Sequence, residues 1–420
     1  MGLTLADNRS QAGFGTFLIL LCALYGTYIY LLFITVGHKG GFYYADSLLF
    51  LIVFFLLVLT NFGKLIIIRT FMINQNSILL LFFLYLLLRT IDAFDSQILN
   101  PTIIFSYVGV NLISGFIAFS VLRLHIPIAS LQGAKSTKWA AIIGTLIFIA
   151  TILYIMTHLM STSLVNIFQF QYLNNAYYQT FGDYISIAYC CLVSLQISYF
   201  KRSIYQNRLI VVFVLVISAQ VILACICLQM VNSSKSVVLI TLVSAFAIYY
   251  CKPKHWLISY GRINVRNLFY MSFLLLLVYL LLTQLLQELD VYRMRIFDYG
   301  SSSLLENKSL ESRFEIIRLH GMDQLLMAPL FGDISIENYM HSSVLSVQSH
   351  LGFIGSLLLW SFVLIQLRNV YRDGGNECLK TIALPILFVS AISSFFTWSP
   401  LWFLIGALYE YTSPIRDRSG

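Results

Sequence analysis

YMHSSVLSVQSHLGFIGSLLLW, residues 339–360, changes character within a few positions. It leaves a polar loop and enters an apolar run that continues to about residue 367. At 1.5 Å per residue, such a run is long enough to cross a hydrocarbon core roughly 30 Å thick. Ser342, Ser346, Ser349, Gly352 and Ser356 recur at three- and four-residue intervals. That spacing makes a small-residue seam along one helix face, where another helix can approach closely. The stretch therefore predicts a membrane-spanning helix with a packing edge and, at its polar mouth, a histidine, His341.

The rest of the chain repeats the pattern. Of 420 residues, 59% are hydrophobic and only 10% charged, against about 25% charged in soluble domains. The expected fold is an all-α polytopic membrane protein forming one membrane domain over residues 1–420. About twelve spans are predicted, at roughly 15–36, 47–63, 77–94, 101–122, 139–160, 181–200, 209–230, 236–251, 267–287, 342–367, 380–397 and 399–413. The opening MGLTLADNRSQAGFG leads into some twenty apolar residues with no small-residue cleavage site, so the first span is expected to be retained.

The net charge of +8 could suggest nucleic acid. Its distribution argues instead for the positive-inside rule. With both termini cytoplasmic, 18 of the 26 basic residues fall on the cytoplasmic side. The outer exceptions are Lys39, Arg89, Lys235, Arg293, Arg295, Lys308, Arg313 and Arg318. None of the seven cysteines falls in the large outer loop, so neither a disulfide nor a cysteine-based metal site is expected.

That large loop, residues 288–341, is the longest polar segment and is expected to be functional. Within SLESRFEIIRLHGMDQLLMAPLFGD, Ser312 and Glu315 form a capping box and Pro329 ends the helical pattern. Arg313 would stand at the first turn of that helix, where a cation is unfavourable unless an anion binds; the plainer alternative pairs it with Glu311 or Glu315. His320 lies on the same face seven residues on. Lys235, in the tight turn QMVNSSKSVVLITLV, either snorkels to lipid headgroups or presents a fixed charge to a phosphate. His341 is either a structural group at a helix start or a general base, since imidazole titrates at about pH 6.5. Asp333, Glu337 and His341 could share a helical face as metal ligands, and Glu288 with Asp290 could bind a divalent ion. Both are weak patterns, and no metal site is predicted.

Taken in order, four stretches resemble the bacterial O-antigen polymerase and O-antigen ligase superfamily of integral membrane glycosyltransferases. NSSKSVVLI is similar to that family's outer turn with a Ser-Arg pair, Lys235 standing at the arginine position. SRFEIIRLHGMDQLLMAPLFGD is similar to its loop helix, which begins with arginine and ends in Pro-Leu-Phe-Gly. MHSSVLSVQSHLGFIGSLLL resembles its His-Asn-x-x-Leu block followed by Gly-x-x-Gly, with Ser342 in place of asparagine. SPLWFLIGAL resembles its final span. The match covers roughly the C-terminal half.

The resemblance implies a GT-C-like transferase in the bacterial inner membrane. Its active site would face the periplasm and act on oligosaccharides carried by undecaprenyl pyrophosphate. An acceptor hydroxyl would attack the anomeric carbon, with inversion. His341 would take the proton, and Arg313 and Lys235 would stabilise the pyrophosphate, assisted by Arg318, Arg89 and His320. Fixed cations would replace a metal, so no cofactor is expected. Partners would be the lipid-linked substrates, membrane lipid and a chain-length regulator protein, with no nucleic acid. The two departures favour the polymerase branch over the ligase that loads lipid A-core. A lipid-linked oligosaccharide flippase is the more distant alternative; it would place charges or broken helices at the bilayer midplane.

Overall fold

The computed structural model describes residues 16–28 (without Leu18 and Cys22), 77–95, 135–161, 177–203, 207–230, 233–250, 315, 326–333, 342–372, 377–393 and 398–412. Among them every regular element is a helix. In chain order these are α1 (Ile19–Tyr28), α2 (Ser77–Asp95), α3 (Lys135–Ser161), α4 (Tyr177–Ser203), α5 (Asn207–Met230), α6 (Ser234–Tyr250), α7 (Ser343–Arg372), α8 (Glu377–Ser393) and α9 (Ser399–Thr412). Three of them, over Lys138–Thr157, Phe181–Phe200 and Ser343–Arg372, are long and apolar enough to cross a membrane. The helices over 77–95, 207–230, 234–250 and 399–412 begin and end within two residues of the expected spans. The expected spans at 47–63, 101–122 and 267–287 lie outside the described residues, as does most of the loop 288–341.

α4 is the hub. It packs against α3, α5, α6, α8 and α9, and its Phe181–Phe200 window is wholly buried, whereas only a third of the Lys138–Thr157 window is. The sequence explains the difference. α3 is almost uniformly aliphatic and can face lipid, whereas α4 carries Ser186, Ser194, Gln196 and Ser198. Those hydroxyls need partners once removed from water. Each serine donates to the carbonyl four residues back: Ser186 to Gly182 O at 2.7 Å, and Ser194 to Cys190 O and Ser198 to Ser194 O at 2.8 Å. Lateral bonds add to this. Gln196 Nε2 donates to Thr145 Oγ1 at 3.0 Å, and the hydroxyls of Tyr189 and Ser244 lie 2.5 Å apart.

α7 packs against α2, α8 and α9. Phe82 and Phe83 of α2 meet Trp402 of α9, with ring centroids 6.4 and 6.1 Å away. The expected small-residue seam of α7 is buried at Ser342, Ser346, Ser349 and Gly352. Ser342 takes the cap position, its Oγ accepting from Leu345 N at 3.5 Å.

Candidate functional site

Two clusters form where helices end. The first is built on Lys235. Gly182 lets α4 approach the turn before α6 so closely that a β-carbon there would collide with the hydroxyls of Ser233 and Ser236. This contact brings the next residue, Asp183, to the second residue of α6: Lys235 Nζ lies 3.3 Å from Asp183 Oδ1. The same oxygen accepts a 2.7 Å hydrogen bond from Trp398 Nε1, just ahead of α9. The ammonium also lies 5.5 Å from the Trp398 ring centroid, within cation–π range. Lys235 is therefore neither a snorkelling lysine nor an isolated charge. It is one member of an ion pair whose side chains are 10% and 8% exposed, backed by an indole that is 2% exposed.

The second cluster is built on a break in α7. Gly352 has φ 63° and ψ −166°, so the helix is two helices joined at a glycine. A break of this kind strands backbone groups, which are costly where water is scarce. Each of four such groups finds a partner outside the helix. Phe353 N donates to Pro329 O at 2.9 Å and Ile354 N to Leu330 O at 3.2 Å. Ser349 O accepts from Asp333 N at 2.8 Å. Leu351 O accepts from the Tyr85 hydroxyl at 2.8 Å, and Phe331 O lies 3.2 Å from the same oxygen.

The loop segment Pro-Leu-Phe-Gly thus replaces the missing turn of helix. Gly332 N bonds back to Ala328 O at 2.9 Å, and Arg89 Nη2 secures Gly332 O at 3.0 Å. Gly332 also has positive φ, 68°, and a β-carbon on it would lie 2.6 Å from Leu351 N. Pro329 stands in a turn two residues after the helical Met327, with Ala328 between, and the helical pattern stops just ahead of it, as expected.

Beside the break, His350 is 1% exposed. Its Nδ1 lies 2.7 Å from Ser346 O and 3.2 Å from Ser349 Oγ. A carbonyl can only accept, so the Nδ1 proton points to Ser346 O.

Of the residues expected in a site, Lys235 and Arg89 are described and belong to different clusters. His341, Arg313, Arg318 and His320 lie outside the described residues, as do Glu337, Glu288 and Asp290. Asp333 is exposed and contributes its backbone N–H. Among the described residues no group of three His, Cys, Asp or Glu side chains could hold a metal ion. Asp183, Trp398, Tyr85 and His350 were not expected. Asp183 had a readable signal: it is the one carboxylate in the apolar stretch FGDYISIAYCCLVSL, and ionisable groups in such stretches are rarely idle. Trp398 and Tyr85 had none, being ordinary aromatics, one just ahead of a helix and the other inside one. No family model, curated protein or solved structure matches the chain.

Proposed function

We propose that the chain is a polysaccharide polymerase of the O-antigen type. It would transfer a glycan from undecaprenyl pyrophosphate to the acceptor sugar of another lipid-linked repeat, at the outer face of the bacterial inner membrane. One observation carries the reading: two of the four stretches that suggested the family join directly, and a third is linked to the residue that precedes the fourth. The Pro-Leu-Phe-Gly end of the loop helix supplies the missing turn of the helix that follows His341. The NSSKS turn meets Trp398, the residue just before the SPLW stretch, through Asp183. Residues that serve a reaction need to be held rigidly, and these contacts hold each cluster in place.

In this mechanism the acceptor hydroxyl attacks the anomeric carbon as the bond to pyrophosphate breaks, with inversion. His341 accepts the hydroxyl proton. Arg313 and Lys235 stabilise the charge growing on the leaving pyrophosphate, with Arg318, Arg89 and His320 at its margin. Arg89 already donates to Gly332 O, which suits it to hold the loop.

The broken helix favours one other reading, a flippase, since transporters use discontinuous helices to hold substrates. Against it, the backbone groups freed at Gly352 that a substrate would use are bonded to residues 329–333 and Tyr85.

A deletion strain in the native host separates these readings by its lipopolysaccharide ladder and its lipid-linked pool. Loss of the ladder with one repeat on core supports the polymerase. Bare core with long polymer on the carrier identifies a ligase. Single repeats trapped on the cytoplasmic leaflet identify a flippase. His341→Ala, inserted at normal level, should abolish transfer; near-normal ladders would remove the general-base role.

A further inference from the structure

The carboxylate that meets Lys235 has no part in the mechanism above, yet its geometry is specific. Asp183 Oδ1 accepts from Trp398 Nε1 at 2.7 Å and faces Lys235 Nζ at 3.3 Å. Charge-assisted N–H···O bonds usually run at about 2.7–2.9 Å. The short bond here belongs to the neutral indole, and the ammonium is held at longer range. Asp183 is thus anchored by tryptophan and free to steer lysine. Gly182 fixes the backbone separation from the other side. An ammonium has three donors, and Asp183 uses one. Lys235 keeps 10% of its side-chain surface exposed, which is where an anion could reach the others.

We infer that Asp183 is a positioning residue for Lys235, anchored by Trp398, which aims the ammonium at the pyrophosphate of the donor lipid. This rests on the proposed polymerase reading and deepens it. Asp183 also repels the donor's phosphates, so the pair gives less to binding the intact donor than to binding the more highly charged pyrophosphate end that is released. As the sugar–oxygen bond breaks, negative charge grows on the leaving group, and the held ammonium meets it without reorganising. The interaction is then stronger in the transition state than in the bound donor, and only such a difference accelerates the chemical step.

The test is steady-state transfer by the purified full chain. The donor is repeat units on undecaprenyl pyrophosphate extracted from the deletion strain. Calorimetric binding of inorganic pyrophosphate runs beside it. Asp183→Asn keeps an acceptor for Trp398 and removes the charge. It should lower kcat about ten- to a hundred-fold, the cost of a misplaced catalytic group, while KM holds or falls. Its pyrophosphate affinity should equal or exceed that of the wild type. Trp398→Phe keeps both charges, and so tests the same point should Asp183→Asn fail to insert. It should show the same split at about three- to ten-fold. Lys235→Gln should lose pyrophosphate binding.

A merely structural Asp183 predicts lower active fraction at unchanged pyrophosphate affinity per folded protein, with no recovery in Trp398→Phe of the kcat-only pattern. Wild-type kcat in an inserted Asp183→Asn or Trp398→Phe, or a raised KM with lost pyrophosphate binding in Asp183→Asn, overturns the inference. A wild-type chain that turns over no donor overturns the polymerase reading instead. The pyrophosphate measurements then decide alone. Binding lost in Lys235→Gln and kept in Asp183→Asn sustains the arrangement; binding unchanged in Lys235→Gln ends it.

Discussion

At Gly352 two constraints coincide. The backbone has φ 63° and ψ −166°, a conformation essentially reserved for glycine, where a β-carbon costs about 1–3 kcal/mol by itself. The space a β-carbon would need is also filled by the backbone of Leu330 and Gly332. Gly332 is constrained in the same way by the backbone of residues 350–352. Gly352→Ala and Gly332→Ala should each lower the apparent melting temperature in detergent by several degrees and reduce the level in membranes, because neither flanking backbone can yield alone. Ser356 lies in the same small-residue seam, but its buried hydroxyl has no hydrogen-bond partner among the described residues. Ser356→Ala should therefore stay within about 0.5 kcal/mol of the wild type. A melting curve in which Ser356→Ala falls as far as Gly352→Ala would show that the seam, rather than the break, carries the stability.

At the scale of elements, α7 is two half-helices spliced by residues 328–333. The amides of Phe353 and Ile354 depend on the Pro329 and Leu330 carbonyls, and that segment in turn depends on Tyr85 and Arg89. Tyr85→Phe with Arg89→Ala should raise deuterium uptake at Phe353 and Ile354 while leaving the mid-α4 amides protected. Unchanged uptake would mean the loop holds without its clamps.

The limits of sequence reading fall here as well. The apolar runs placed α2 at 77–94 and α9 at 399–413, close to Ser77–Asp95 and Ser399–Thr412, because lipid demands long uniform segments. The serine seam was legible from its spacing. The break was not. SHLGFIGSLLL reads as an unbroken helix, since a glycine inside a span is ordinary; the demand for positive φ comes from a loop elsewhere in the chain. The partners of Lys235 were hidden for the same reason, Trp398 and Asp183 being 215 positions apart.

For the whole molecule, the burial pattern ranks the helices by what surrounds them. α4 touches five others and faces no lipid over Phe181–Phe200, whereas α3 leaves most of its length outward. The helix ends that gather Arg89, Asp183, Lys235, Gly332 and Trp398 are those the basic-residue bias assigns to the outer face. With the seven native cysteines replaced, Asp333→Cys should label with a membrane-impermeant maleimide in intact cells whose outer membrane has been opened. Arg372→Cys, at the far end of α7, should label only after the inner membrane is breached. The reverse pattern would invert the topology and place both clusters in the cytoplasm.

The contact between Gly332 and Gly352 also bears on descent. Each glycine occupies the room that a side chain on the other would take, so neither position can drift alone. A descendant that changed one would have to rebuild loop and helix in a single step. Residues 328–333 and 349–354 are in effect one heritable part written in two places. A chimera that borrows this loop for the helix of another such protein should assemble only where the recipient also brings a glycine at the break.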